Sequence, residues 1–176
     1  MERKIVKKWF WVWEFEKEEQ WLNTMAQSGW VLDKLGLCKY EFVSCEAGEY
    51  TVRLEMRDHD QEYIAFMAET GAEYVGRMAK WIYFRKKVAD GPFDIFSDID
   101  SRIAHLDKIG KMLGIVGAAN ILIGLCNINI GYGPWNISIP GNIGWINLCG
   151  AALLYYALGR IHGKKEALEK DRLLRE

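Results

Sequence analysis

Asp58-His59-Asp60 is the tripeptide that most resembles a catalytic constellation, an imidazole flanked by two carboxylates of the kind acid–base chemistry uses. It falls between a predicted strand and a predicted helix, where Asp is the expected N-cap and the histidine is incidental. The chain carries no HExxH, GxSxG, P-loop or dinucleotide-binding pattern. Cys38, Cys45, Cys126 and Cys149 form no CxxC pair, and His59, His105 and His162 are not spaced to join them at a metal. Free thiols in a reducing cytoplasm are expected. The residue types thus predict a protein that is not an enzyme, with no catalytic residues, no cofactor and no metal.

The elements around these residues follow from charge. Residues 112–159, 48 in all, contain no Asp, Glu, Lys, Arg or His. One bilayer crossing needs about 20 apolar residues at roughly 1.5 Å rise each, so this stretch predicts two spans, residues 112–130 and 142–159. Gly131-Tyr132-Gly133-Pro134 and Pro140-Gly141-Asn142 break the helices between them. A buried hairpin in a water-soluble core is the alternative. Arg102, Lys108 and Lys111 precede the first span, and Arg160, Lys164, Lys165, Lys170, Arg172 and Arg175 follow the second. That bias predicts a multi-pass protein of the cell membrane with both termini cytoplasmic, Trp135 and Trp145 at the outer boundary and Tyr155 and Tyr156 nearer the inner one. Gly114, Gly117, Ala118 and Gly150 would let the helices approach, and Asn120 and Asn147 would hydrogen-bond across their interface.

Averaged over the chain, a mean hydropathy of −0.12 conceals this division. The 23 basic and 24 acidic residues nearly balance, so no direct attraction to nucleic acid is expected.

Residues 1–88 alternate between strand and helix patterns. Ile5 to Phe15 reads as a strand that buries Trp9, Trp11, Trp13 and Phe15 on one face. Glu16 to Ser28 has helical spacing, with Trp21, Leu22, Met25 and Ala26 on one side and Gly29 as the stop. Strands are predicted at Trp30 to Leu37, Lys39 to Glu46, Glu49 to Arg57, Ala72 to Arg77 and Lys80 to Lys87, with a second helix from Asp60 through Thr70. Displaced by 42 residues the sequence matches itself: Trp21 meets Tyr63, Leu22 meets Ile64, Met25 meets Met67, Gly29 meets Gly71 and Phe42 meets Phe84. The expected fold is therefore a cytoplasmic α+β domain of duplicated β-α-β-β units, residues 5–46 and 49–87. Its ferredoxin-like sandwich has a six-stranded, mainly antiparallel sheet with two helices on one face. If Phe42 and Phe84 face the helices, then Phe10, Val12, Val43, Trp81 and Tyr83 face away. An uncovered sheet face carrying such residues predicts an interaction surface for a protein partner or for self-association.

Glu18-Glu19-Gln20-Trp21-Leu22, Gly29-Trp30, Tyr40-Glu41-Phe42, Arg53-Leu54 and Trp81-Ile82-Tyr83-Phe84-Arg85 resemble the family known as domain of unknown function 2812. The resemblance implies a small bacterial membrane protein, often encoded beside a PadR-like transcriptional regulator. Ala72 departs from it, standing where a second Gly-Trp pair is expected and removing one core ring.

Residues 89–111 read as a linker and a juxtamembrane helix. Its Phe96, Ile99, Ile103 and Leu106 would meet lipid, the domain, or a second copy in a short coiled coil. Ser97 and Asp100 are the expected helix start. Residues 160–176 form a charged cytoplasmic tail that continues the second helix and can attract anionic lipid. The reading that joins these parts is a membrane-anchored, non-enzymatic binding or regulatory module. It would present its α+β domain to a protein partner, in signalling or in control linked to a PadR-like regulator. The alternative is an accessory or self-assembling subunit of a membrane transport complex.

Overall fold

A computed structural model describes residues 2–96, 98–132 and 142–175. The chain divides into two compact units, Met1–Ser97 and Asp98–Glu176.

The first unit is α+β. Its first half runs β1 (Arg3–Lys7), a single 3-10 turn (Val12–Glu14), α1 (Phe15–Gln27), β2 (Trp30–Gly36) and β3 (Lys39–Ser44); its second half runs β4 (Tyr50–Met56), α2 (Gln61–Glu69), β5 (Ala72–Met78) and β6 (Trp81–Lys87). Gly29 and Gly71 follow the helices at φ +82° and +85°, the left-handed backbone that ends a helix at least cost in glycine. The Asp60 carboxylate caps α2, accepting the Glu62 and Tyr63 backbone N–H groups.

The strands form two three-stranded antiparallel sheets, ordered β1-β3-β2 and β4-β6-β5, and not the single six-stranded sheet expected. The reason lies in the edges that approach each other. β2 shifts register between Leu32 and Lys34, and β5 between Tyr74 and Gly76. A bulge on each facing edge interrupts the ladder that would have joined them. Side chains bridge the seam instead. Arg85 donates to the Leu32 carbonyl at 2.9 Å, and a Cβ on Gly76 would come within 2.9 Å of Leu35.

The helices also depart from the expected single face. α2 covers Ile82 and Phe84, in a cluster with Met67 and Ala72. Phe93 and Ile95 also pack on that cluster. α1 covers the first sheet, with Trp21 against Tyr40 and Phe42, and also the opposite face of β6, where Phe15 stacks on Trp81 at 5.2 Å. Asn23 fixes α1 along β4 by taking the Val52 N–H and donating to the Val52 carbonyl.

In the second unit, α3 (Ile99–Tyr132) and α4 (Asn142–Arg175) run antiparallel against each other. The predicted juxtamembrane helix and first span are one continuous helix, and its cap is Asp98, which takes the Ser101 N–H at 2.7 Å. Ile103, Leu106, Ile109 and Leu113 are buried, as are Ala151, Ala157 and Ile161 on α4. The heptad-like spacing on α3 is thus used for pairing with the tail helix. Lys165 bonds Asp107 at 2.7 Å and Arg172 bonds Asp100 at 2.8 Å, so charge zips the end where both helices are polar. Among the described residues α3 alone is long and apolar enough to cross a membrane, over Ile99–Ile128. Ser97 and residues 133–141 of the predicted turn, Trp135 among them, lie outside the described residues, while Gly131 and Tyr132, expected as helix breakers, still belong to α3, and Asn142 opens α4.

Candidate functional site

The helical spacing of α1 puts Glu18, Leu22 and Ala26 on one line, and all three are buried. Glu18 is 6% exposed. Its Oε1 accepts the Tyr40 hydroxyl at 2.7 Å and the Tyr83 hydroxyl at 2.7 Å. Tyr40 stands on β3 and Tyr83 on β6, the central strand of each sheet, so one carboxylate ties both halves of the domain together.

Rings close around it. Phe15, one turn before Glu18, stacks on Trp81, two residues before Tyr83. On the other side Trp21 meets Tyr40 edge-on at 5.0 Å, and Phe10 lies 5.5 Å from Trp21. Burial raises the Glu18 carboxyl above the usual carboxylate range, and the two hydroxyl donors pull against that rise. Burial likewise pushes both phenols up, and the neighbouring carboxylate pushes them further.

Glu55 gives the measure of what Glu18 lacks. It too is buried and takes a tyrosine hydroxyl, Tyr63 at 2.7 Å, but the Arg57 guanidinium stands 3.6 Å away. Glu19, the next residue on α1, bonds Arg53 at 3.2 Å. Among the described residues no Lys, Arg or His forms an ion pair with Glu18. The Lys8 ammonium stands over the Phe10 and Trp21 rings at 4.9 and 4.5 Å, so the aromatic side of the site already faces one cation while the carboxylate itself is held by neutral donors.

The predicted interaction face does not survive this geometry as a surface. Trp81, Tyr83 and Val43 are buried. Trp81 and Tyr83 do point away from α2, as the alternation requires, but α1 of the other half covers that face. Phe10 and Val12 are half-buried. The Asp58-His59-Asp60 tripeptide is pulled apart: Asp60 caps α2, Asp58 pairs with Lys80 at 3.1 Å, and the exposed His59 ring lies 6.2 Å from Tyr74. Among the described residues there is no cluster of three or more metal-ligating side chains.

On the helical pair, Gly117 is buried and a Cβ there would meet the Tyr155 ring at 3.0 Å. Gly114 approaches Leu158, and Gly150 approaches the Asn120 Oδ1. Ala118 is exposed and lies off the contact, a correction to its expected place in the packing. Asn120 and Asn147 donate to the carbonyls of Val116 and Ile143 in their own helices, and not to each other across the interface. Among the described glycines the tightest is Gly144, where a Cβ would fall 2.5 Å from Ile128 Cγ1 and 2.8 Å from the Gly124 carbonyl oxygen.

The family model described as protein of unknown function (DUF2812) matches residues 14–118, more than half of the 176-residue chain. The chain belongs to that family. No curated protein and no solved structure matches it. The DUF2812 segment contains Glu18, Tyr40 and Tyr83 and runs on into α3, while β1, Trp9 and Trp11 precede it.

Glu18 was the residue that sequence reasoning passed over. The signal was present: an acid placed four and eight residues before Leu22 and Ala26, on a line of helix that had to be buried.

Proposed function

We propose that the chain is a membrane-anchored, non-enzymatic recognition module whose α+β domain takes a positively charged group at Glu18. The observation that carries this reading is the carboxylate itself, buried against two tyrosine hydroxyls and in no ion pair with a Lys, Arg or His among the described residues. Burying an ionised carboxylate is costly, and apolar side chains of similar size would cost the fold less. Buried carboxyls whose titration is raised by their surroundings are found at sites of function.

In this reading both α3 and α4 cross the bilayer, and residues 1–97 and the charged tail share the cytoplasmic side. The basic residues at both ends of the uncharged segment support that orientation. We also read the domain as a duplicated unit. Its halves share element order and strand order, and their bulges, at residues 32–34 and 74–76, are 42 residues apart. A regulatory role fits a domain in which a buried carboxylate is one of the links between the two halves, because a ligand that neutralises it changes what holds them together.

The test is thermal unfolding of the detergent-solubilised full chain with tetraphenylphosphonium and with its uncharged relative triphenylphosphine oxide. The cation should raise the midpoint, the neutral compound should not, and Glu18→Gln should abolish the difference. Equal responses to the two compounds, or an unchanged response in Glu18→Gln, would remove the recognition role.

A further inference from the structure

The aromatic row predicted to be buried along the first strand is instead divided, and its first part faces solvent. β1 ends at Lys7, the chain turns, and a 3-10 turn carries it into α1. Trp9 is left 57% exposed and Trp11 40% exposed, and Ile5 on β1 is 58% exposed. Trp9 meets Trp11 edge-on at 5.5 Å, and Trp11 stacks on Trp13 at 5.0 Å. The stack is held from below, since the Glu14 N–H bonds the Trp11 carbonyl at 2.8 Å and Lys17 bonds Glu14 at 2.8 Å. Trp9 and Trp11 are the exposed members of the stack, and Trp13 is half-buried.

The same stretch is basic. Arg3, Lys4, Lys7 and Lys8 are all exposed, and Glu2 is the only acid before Glu14. Arg3, Ile5 and Lys7 alternate onto one face of β1, two cations flanking an exposed isoleucine. Lysines on an edge strand have an ordinary use, which is to block pairing with another chain. That use explains the charges but not the indoles, which a water-facing edge has no reason to display.

We propose that residues 3–11 dock on the surface of an anionic lipid bilayer. Trp is the side chain that settles where headgroups meet acyl chains, and clustered Lys and Arg are drawn to the negative potential of anionic headgroups. A second copy of the chain fits less well, because a self-complementary contact would bring two sets of four cations together. A bilayer is also close at hand, since α3 is apolar and long enough to enter one. Tethering then raises the effective concentration of lipid at the domain.

The experiment uses the full chain in vesicles of phosphatidylcholine alone or with phosphatidylglycerol, in each case with brominated acyl chains as quenchers. The fluorescence of Trp9 and Trp11 is taken as the difference between the wild type and a Trp9→Phe/Trp11→Phe variant. In anionic vesicles that component should be quenched at least twice as strongly as in zwitterionic ones. Arg3→Glu/Lys7→Glu should bring the two to the same level, and high salt applied to the wild type tests the same charges without altering the fold. Quenching that is absent in anionic vesicles, or indifferent to lipid charge and salt, overturns the proposal. So does a doubled mass in detergent that Trp9→Phe/Trp11→Phe abolishes, which would assign the patch to a second copy.

Discussion

The two units of the chain place the same kinds of residue in opposite positions. In the α+β domain, Phe42, Phe84, Leu22, Leu54 and Ile82 are inside, and most charged side chains are outside. In the helical pair, Ile115, Leu122, Ile123 and Ile146 point outward, while the close contacts are made by Gly117, Gly124 and Gly144. Ile103, Leu106, Ile109 and Leu113 are buried at the polar end of the pair, but beyond them large apolar side chains turn out and small residues make the contacts, the pattern expected of helices whose solvent is lipid. The domain next to it follows the rule for water. Glu18, Glu55 and Lys86 are the charges buried against that rule in the domain. Glu55 has Arg57 beside it, whereas Glu18 is held by hydroxyls, and it is to Glu18 that we assign recognition.

The largest effect expected from breaking this contrast is in the domain core. Phe84→Ala should cost about 3–5 kcal/mol of domain stability, seen as early loss of near-ultraviolet circular dichroism while the helical signal of α3 and α4 persists. A simultaneous loss of both would mean that the two units are stabilised as one.

Next is the Glu18 clasp. Tyr83→Phe removes one of two hydroxyls from a buried carboxylate and should cost about 1.5–3 kcal/mol. In Glu18→Gln the same substitution should cost less, because the acceptor is no longer charged. Equal costs in the two backgrounds would show that the hydroxyl matters only for packing.

In the helical pair, Gly144→Ala should destabilise by about 1–3 kcal/mol through overpacking. Gly159→Ala, with nothing within 4 Å of the new Cβ, should be neutral or mildly stabilising. Reduced thermal stability at position 159 matching that at 144 would contradict the contact assigned to Gly144.

The pH dependence sharpens the picture of Glu18 itself. An acid whose carboxyl titrates higher in the folded than in the unfolded state binds more protons when folded. Its contribution therefore weakens stability as pH rises from the ordinary carboxylate range, about 4.3, through the raised value. The groups facing it are Tyr40 and Tyr83. Glu19 shifts in the same direction through burial, with Arg53 opposing. Glu18→Gln should thus flatten part of the decline above about pH 4.5 and leave the part due to Glu19; a steeper decline would reverse the assigned sign. The smallest effect is expected for Lys165→Ala, an ion pair at the polar end of the helices, where the change should be slight and should vanish in high salt.

Much of the domain was legible in the sequence. The spacing of Trp21, Leu22, Met25 and Ala26, the stops at Gly29 and Gly71, and the alternation through β4 and β6 are local signals, and they gave the elements to within a few residues. What failed was non-local. No periodicity reveals that bulges on β2 and β5 keep two sheets apart, or that α1 covers the face of β6 turned away from α2. The buried positions of Trp81 and Tyr83 follow from that crossing alone, so an alternating strand could only mark them as facing away from one helix. The first strand erred differently. Its tryptophans alternate as a buried row would, but the pattern does not say whether the apolar phase meets a core. On α3, the stripe of Ile103, Leu106 and Leu113 was visible, while its partner, the tail helix, lay more than forty residues further along the chain.

The measurement that bears most directly on the central contrast uses thiols the chain already carries. Cys126 and Cys149 are free and exposed on the outward surface of the helical pair. With Cys38 and Cys45 replaced by serine, native membranes would be treated with a membrane-impermeant maleimide, with and without detergent denaturation. If lipid covers that surface, the two thiols stay unlabelled until the bilayer is dissolved. Rapid labelling in intact membranes, or recovery of the chain in the detergent-free aqueous fraction, would show that water surrounds these helices and would contradict the assignment.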